Sequence, residues 1–353
     1  MTASVIPARA TARRFVLAPD EARAAFEFGQ AVAENYDGVE DERFLLDCAV
    51  LAHSLPERLR AELCRFRLDE PAGALIVSGL PVDDDALGAT PGSWITESRP
   101  EASRPHETYL MLCCSLLGEV FGWRLDRAGQ LVHDVVPVAG RELEQSGSSS
   151  DVDLLWHTEE AFHPLRGDYV ALLCLRNPDR TPTTVATVHG DDLSAEHLQT
   201  LREPRFTILP ESAFEADEAE SAMSVGEKRL YQNARRQLDR QSQAPEPVAL
   251  LYGDPETPYL RVDPAYMPLP VPGDPVATEA FAALAGVIER NHQPVVLEPG
   301  DLAIIDNARA VHGRRPFRAR YDGRDRWLKR CSVTRDLRRS REARATSSSR
   351  VVF

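Results

Sequence analysis

The chain has 353 residues, with 41 Lys and Arg against 55 Asp and Glu, a formal net charge of −14. A field this acidic argues against nucleic acid or an anionic membrane surface as partner and suits a small cationic ligand. Hydrophobic residues make up 43% and charged residues 27%, enough for one large domain or a core with a covering subdomain.

In chain order, "MTASVIPARATARRF" has arginines but no apolar leader, and no later run approaches the ~18 apolar residues of a membrane span. A cytoplasmic protein is expected. Residues 19–36, behind Pro19 and Asp20, predict an amphipathic helix. "FLLDCAVLAHSL" predicts a second, and Pro56 opens a third in "PERLRAELCRF". "ALIVSGLPV" predicts a short strand stopped by Gly79 and Pro81. "PHETYLMLCCSLLGEVFGW", apolar on most sides, predicts one buried helix. Cys48, Cys64, Cys113, Cys114, Cys174 and Cys331 form no CxxC pair and mostly sit in apolar runs, as buried thiols of a reducing compartment do.

From residue 130 the texture changes. "QLVHDVVPV", "DYVALLCL", "TTVATV", "RFTIL", "VALLY", "PYLRV", "PVVLEPGD", "LAIID" and "LKRCSVTRD" predict strands of a sandwich or barrel rather than a doubly wound parallel sheet. A helix over "DPVATEAFAALAGVIERNHQ" interrupts them. Nucleotide-binding glycine motifs and internal repeats are absent. Residues 211–247 are polar, with five acids in "ESAFEADEAE", and read equally as a lid or as a solvated excursion. The basic "RRSREARATSSSRVVF" reads as a loosely ordered end whose arginines can dock on the acidic body.

The chemistry concentrates in "LLWHTEEAFHPL", residues 154–165. His157 and Glu159 are two apart, so on an extended segment they share a face with Cα atoms about 6.6 Å apart. Alone, H-x-E is more often a surface or hydrogen-bonded pair than a metal site. His312 ends a second strand-like run, and Gly313 after it allows a tight turn beside a ligand. Two histidines and one carboxylate make the facial triad of non-haem Fe(II) oxygenases; zinc is the chemical competitor, although HExxH is absent. Arg326, 14 residues past His312, offers a two-pronged donor for the far carboxylate of 2-oxoglutarate. Arg330, four further on, falls on the same strand face. Glu160 and His163 read as supporting groups, Trp156 as packing behind the site and His133 as a packed strand residue.

"WHTEEAFHPLRGDYVALLCLRNPD" and "IDNARAVHGRRPFRARYDGRDRWLKR" resemble the clavaminate synthase-like family of Fe(II)/2-oxoglutarate oxygenases. Within it the likeness is to free amino-acid hydroxylases of peptide-antibiotic pathways, above all those acting on L-arginine. It runs from about residue 15 to the end, through "FLLD", "GLPVDDDALGATP", "LLGEVFGW" and "TRDLRRSREARATSS". The resemblance implies an α+β fold in one oxygenase domain over 1–353. A distorted double-stranded β-helix (jelly roll) core at 130–336 would be flanked by a mainly helical part, 1–129. A lid at about 211–247 and a basic tail at 337–353 would complete it.

The resemblance also implies roles. His157, Glu159 and His312 would hold Fe(II), with 2-oxoglutarate and O2 as cosubstrates. Arg326 and Thr184 would grip 2-oxoglutarate, and Arg330 the substrate α-carboxylate. Ser148, in the loop 145–150, would touch the substrate backbone, Asp126 its amino group and Asp263 the distal end of its side chain. No catalytic residue beyond the iron ligands is implied. Two departures bear on the substrate: Ala265 stands where some arginine hydroxylases have a second aspartate, and Asp126 where relatives commonly have Gln or Glu. The expected reaction is hydroxylation of a free basic L-amino acid, L-arginine at C3 and also C4, in antibiotic or peptide-precursor biosynthesis. Lysine, citrulline or enduracididine, and a desaturating or cyclising outcome, are the rivals on the same iron. A non-catalytic jelly-roll binding protein and a zinc hydrolase are the rivals of other classes. The partner expected is a small amino acid, without nucleic acid or membrane, and the oligomeric state is not indicated.

Overall fold

The computed structural model describes residues 10–94, 101–211 and 223–353. β1 (Ala10–Val16) leads through α1 (Pro19–Ala33), α2 (Glu42–Leu51) and α3 (Glu57–Asp69) to β2 (Ala72–Ser78), α4 (Asp84–Leu87) and α5 (Arg104–Ser115). β3 (Glu119–Trp123), β4 (His133–Val135), β5 (Leu154–His157), β6 (Tyr169–Arg176) and β7 (Pro182–Thr187) follow. Then come α6 (Ala195–Leu201), α7 (Val225–Gln243), β8 (Leu251–Tyr252), β9 (Tyr259–Leu260) and α8 (Pro275–Asn291). β10 (Gln293–Val296), β11 (Leu302–Asp306), β12 (Ala310–Arg314), β13 (Trp327–Thr334) and β14 (Val351–Val352) complete the order.

Two sheets carry the site. The larger runs β1-β2-β11-β6-β13-β3-β14, with β4 also on β13; the smaller runs β10-β7-β12-β5. Ile76, Leu172, Ile305 and Leu328 of the larger pack against Val185 and Ala310 of the smaller. On the other face of the larger sheet, Leu75, Leu173 and Ile304 meet Phe44, Leu63 and Leu112 of the helical layer. Covered on both faces, β6 is buried at every position, which is why its sequence is an almost unbroken apolar run. Ala186 and Val311 on the outer face of the smaller sheet are covered by Leu284 and Ile288 of α8. From β5 to β7 and from β10 to β13 the chain alternates between the two sheets. The β11–β12 crossing is a tight turn in which Asp306 Oδ1 accepts from the backbone N–H groups of Ala308 and Arg309.

Three expectations are corrected. "PHETYLMLCCSLLGEVFGW" is not one helix, because α5 stops at Ser115 and β3 begins at Glu119. A Cβ at Gly118 would meet the Thr334 carbonyl at 2.3 Å, so the chain turns against the end of β13 and pairs with it, Thr334 opposite Glu119. Apolar content alone does not separate a buried helix from a buried strand. "RFTIL" contributes only the isolated bridge Phe206–Val248. The basic end is ordered: Val351 and Val352 pair with β3. Arg344, 4% exposed, donates to the carbonyls of Leu337, Ser347 and Ser349, and Arg350 pairs with Glu119.

Part of the expected lid, residues 212–222, lies outside the described residues. Residues 225–243 form α7 behind a Ser224–Glu227 capping box. All six cysteines are free, and among the described residues no helix is long and apolar enough to cross a membrane.

β13 presents Leu328 to the space between the sheets and Trp327 and Cys331 to the helices. Lys329, 1% exposed, places its Nζ 2.7 Å from Glu107 of α5 and 2.6 Å from Asp134 of β4. Trp327 Nε1 donates to the same Asp134 oxygen at 2.5 Å. Removing this cation leaves two buried carboxylates without it, a loss of about 3–5 kcal/mol. Lys329→Met should therefore lower the urea midpoint sharply, while Arg338→Ala, which removes an exposed pair with Asp336, should leave it unchanged. Equal midpoints for the two variants would contradict the anchoring role.

Candidate metal centre and substrate cavity

His157 ends β5 and stands directly opposite His312 on β12, with ring centroids 4.6 Å apart. Beyond β5 the backbone is clamped from two sides. Thr158 N–H donates to the Val262 carbonyl at 2.8 Å. Asn307, in the β11–β12 turn, accepts from Glu159 N–H at 2.6 Å and donates to the Glu159 carbonyl at 3.1 Å. This turns the Glu159 carboxylate inward, with Oε2 3.1 Å from His312 Nε2 and 3.7 Å from His157 Nε2. One donor atom from each of the three residues lies within 4.8 Å of the others.

The donors fit a divalent metal. His157 Nδ1 bonds the Leu155 carbonyl at 2.8 Å, which puts the ring proton there and leaves Nε2 facing the centre. Burial opposes a further proton on His157, but Glu159 and Asp263 outweigh it and raise the imidazole to about 10. Burial also opposes charge on Glu159, yet Arg330 and the two histidines hold its carboxyl well below the usual range. A pocket that draws a second proton onto His157 is one that favours a cation, and a metal ion takes that proton's place. Two imidazoles and a carboxylate suit Fe(II) or zinc.

Register decides the neighbouring threonines. His312 faces Val185, Gly313 faces Thr184 and Arg314 faces Thr183. Directly opposed residues share a face and neighbours alternate, so Thr183 lies on the side of His312, and Thr184 on the other. Thr184 therefore faces away from the side on which the sequence reading placed its hydroxyl. Thr183 lines the cavity and its hydroxyl accepts from Arg326 Nη2 at 3.3 Å, whereas Thr184 crowds the outward side of Gly313. Burial lowers the Arg326 guanidinium to about 10. Burial and the nearby Arg326 do the same to Arg314, which leaves both charged at neutral pH. Arg314 was not singled out from sequence; its place two residues past His312 on a strand was the available signal.

At the other side of the triad, Arg330 Nη2 lies 2.5 Å from Glu159 Oε1 and 3.1 Å from Glu160 Oε1. Glu160, at a φ of 47°, is raised to about 8 by burial and by Glu159. Asp126 lies 3.6 Å from Arg127. Asp263, 4% exposed, spends one oxygen on Ala265 N–H at 3.0 Å, and burial raises its carboxyl. Glu211, also missed from sequence, is driven up by burial and then by Glu159 and Asp263, and its buried Oε1 has no partner. These groups and Ser148 line one cavity of ≈ 540 Å³ together with the triad, Arg314 and Arg326. His163 packs on Trp123, with ring centroids 4.3 Å apart, away from the cavity. Trp156 stacks on Phe281 and bonds Glu289 at 2.7 Å, behind the site as expected.

Residues 72–332 match the taurine catabolism dioxygenase TauD, TfdA family, and the chain belongs to this family of dioxygenases. The enduracididine beta-hydroxylase of Streptomyces hygroscopicus is 42% identical over 338 residues, covering 96% of this chain and 98% of that protein. The L-ornithine/L-arginine 3-hydroxylase of Catenulispora acidiphila is 43% identical over 324 residues, covering 91% and 94%. The crystal structure of the non-heme iron oxygenase OrfP with Fe, succinate and (3S)-hydroxy-L-Arg superposes with a TM-score of 0.89 at 41% identity, covering 97% of this chain and 100% of that one. OrfP has also been crystallised with Fe and alpha-ketoglutaric acid (TM-score 0.84, 41% identity, the same coverage). The resemblance to amino-acid hydroxylases seen in the sequence is thus confirmed along nearly the whole chain.

The convergence of three donors predicts one Fe(II) per chain under anaerobic titration. His312→Ala should lose it while keeping its thermal transition; stoichiometric tight iron in that variant would contradict the centre described.

Proposed function

We propose that the protein is an Fe(II)/2-oxoglutarate-dependent hydroxylase of a free basic L-amino acid, L-arginine at C3 above others and C4 as a further position. The observation that carries this is the division of charge around the His–Glu–His centre. Arg314 and Arg326 gather about Thr183, whereas Asp263 and Glu211 line the same cavity beside Glu159, Glu160 and Arg330. Two close carboxyls whose ionisation is resisted by burial are relieved by a cation between them, and a guanidinium can satisfy both. Glu211 supplies a second acid in a cavity where Ala265 offers none.

In this reading His157, Glu159 and His312 hold iron, and Arg326 with Thr183 receives the far carboxylate of 2-oxoglutarate. Bound Fe(II) with 2-oxoglutarate supplies the dioxygen chemistry that converts C–H to C–OH, with succinate and CO2 as coproducts. The residues of the chain position the substrate: Arg330 takes its α-carboxylate, Asp126 its amino group, Ser148 its backbone, and Asp263 with Glu211 its side-chain cation. With both ends fixed, a middle carbon is presented to the metal. Enduracididine, a cyclised arginine that keeps the guanidine, is the second reading, favoured by the near full-length similarity to an enduracididine hydroxylase.

The strands that alternate between two facing sheets support a distorted double-stranded β-helix at 130–336 within one oxygenase domain. Six free thiols support a cytoplasmic setting, and the relatives support a role in antibiotic or peptide-precursor biosynthesis.

Anaerobic enzyme with Fe(II) and 2-oxoglutarate, then given oxygen, tests the function against L-arginine, enduracididine, L-lysine and L-citrulline. L-Arginine should stimulate succinate formation and yield a product heavier by one oxygen atom. A panel without any stimulation would sink the proposal. Thr183→Val should raise KM for 2-oxoglutarate about tenfold, the worth of one hydrogen bond to a charged group, and Thr184→Val should not; the reverse pattern would restore the role to Thr184.

A further inference from the structure

Arg314 and Arg326 line the same cavity, and among the described residues no carboxylate lies within ion-pair distance of either. Each is largely buried, 3% and 6% exposed, and each has a buried Nε without a partner. They are arranged around one residue. Thr183 stands opposite Arg314 in the β7–β12 register and takes the hydrogen bond from Arg326. Two like charges in a poorly solvated space raise each other's energy until an anion lies near both.

The far side of the Arg314 guanidinium is already engaged. Nη2 donates to Ser149 Oγ at 2.7 Å, and Nη1 donates to the carbonyls of Ser150 at 3.3 Å and Arg315 at 2.9 Å. The Phe317 ring lies under the group at 5.0 Å, and Phe317 N–H donates to the same Ser150 carbonyl at 2.8 Å. Ser149 and Ser150 are fully buried and close the loop 145–150, whose Ser148 lines the cavity. One rigid planar cation thus spans the Arg326 end of the cavity and the loop beside the amino acid.

We propose that Arg314 is a positioning residue that couples the two substrates: it shares the far carboxylate of 2-oxoglutarate with Arg326 and, through Ser149 and Ser150, holds the 145–150 loop against the amino acid. Repulsion from Arg326 works against the grip of Arg314 on the loop, and the arriving carboxylate relieves it. The loop is then firmer when the amino acid arrives, so each substrate strengthens the other's binding by the same factor. This inference rests on the 2-oxoglutarate reading above.

The test uses the Fe(II)-loaded enzyme under anaerobic conditions. In the wild type, 2-oxoglutarate alone should slow backbone hydrogen exchange across 145–150, and should lower the Kd for L-arginine about fivefold or more, the usual range of such coupling. Arg314→Gln should weaken 2-oxoglutarate about tenfold, by loss of a charged hydrogen bond, and abolish both loop protection and coupling. Arg314→Lys, which keeps the charge but not the fork, should bind 2-oxoglutarate within about threefold of wild type yet lose the loop protection. That variant carries the test if Arg314→Gln does not fold. Wild-type 2-oxoglutarate affinity together with full loop protection in either variant overturns this proposal alone. A wild-type enzyme that does not bind 2-oxoglutarate overturns the oxygenase reading and this proposal with it.

Discussion

The clamp of Asn307 on both backbone polar groups of Glu159 is the constraint on which the site depends. It joins residues 148 apart in the chain, and it exists because β11 crosses to β12 in a turn too short to place Asn307 elsewhere. The same turn starts β12 in the register that sets His312 against His157. A single crossing therefore fixes two of the three donors relative to the third. A third bond from Asn307, to the Gly167 carbonyl at 2.9 Å, ties the clamp to the approach of β6.

Around that centre the strands act as a sorting device. β12 sends Arg314 inward from the smaller sheet and β13 sends Arg330 from the larger, with Arg326 just ahead of β13, while Asp263 and Glu211 come from the segments outside the sheets. In the proposed reading, the strands and their ends thus carry the groups matched to carboxylates, which every amino-acid substrate and 2-oxoglutarate possess. In the same reading, connecting segments carry the groups matched to the variable side chain. Such a division lets substrate preference change without disturbing the metal.

Much of this was legible in the sequence because the signals were local. H-x-E on an extended run, a histidine before Gly313 and an arginine pair four apart all depend on strand alternation, which sequence reports directly. What escaped depends on register between distant strands. Thr183 and Thr184 are adjacent and identical, and only the pairing of β7 with β12 tells which faces inward. Arg314 looked like one of several arginines in "GRRPFRAR" until its partners in the serine loop, more than 160 residues away, were known. Glu211 opens an acidic stretch whose composition fits a lid and a solvated excursion equally, and nothing local sets it apart from the acids that follow. "LLGEVFGW" failed for a different reason: a strand covered on both faces is as apolar as a buried helix, and only the backbone contact at Gly118 marks the change.

The edges of the larger sheet bear on how the protein behaves in crowded solution. At one edge β14 is two residues long and is held by the ordered basic segment before it. At the other, β1 projects Arg13 toward Glu62 and Arg14 toward Asp301. A very short strand and a charged strand are both poor templates for another chain's backbone. The C-terminal arginines thus help hold in place the short strand that ends one edge, and β1's own arginines charge the other.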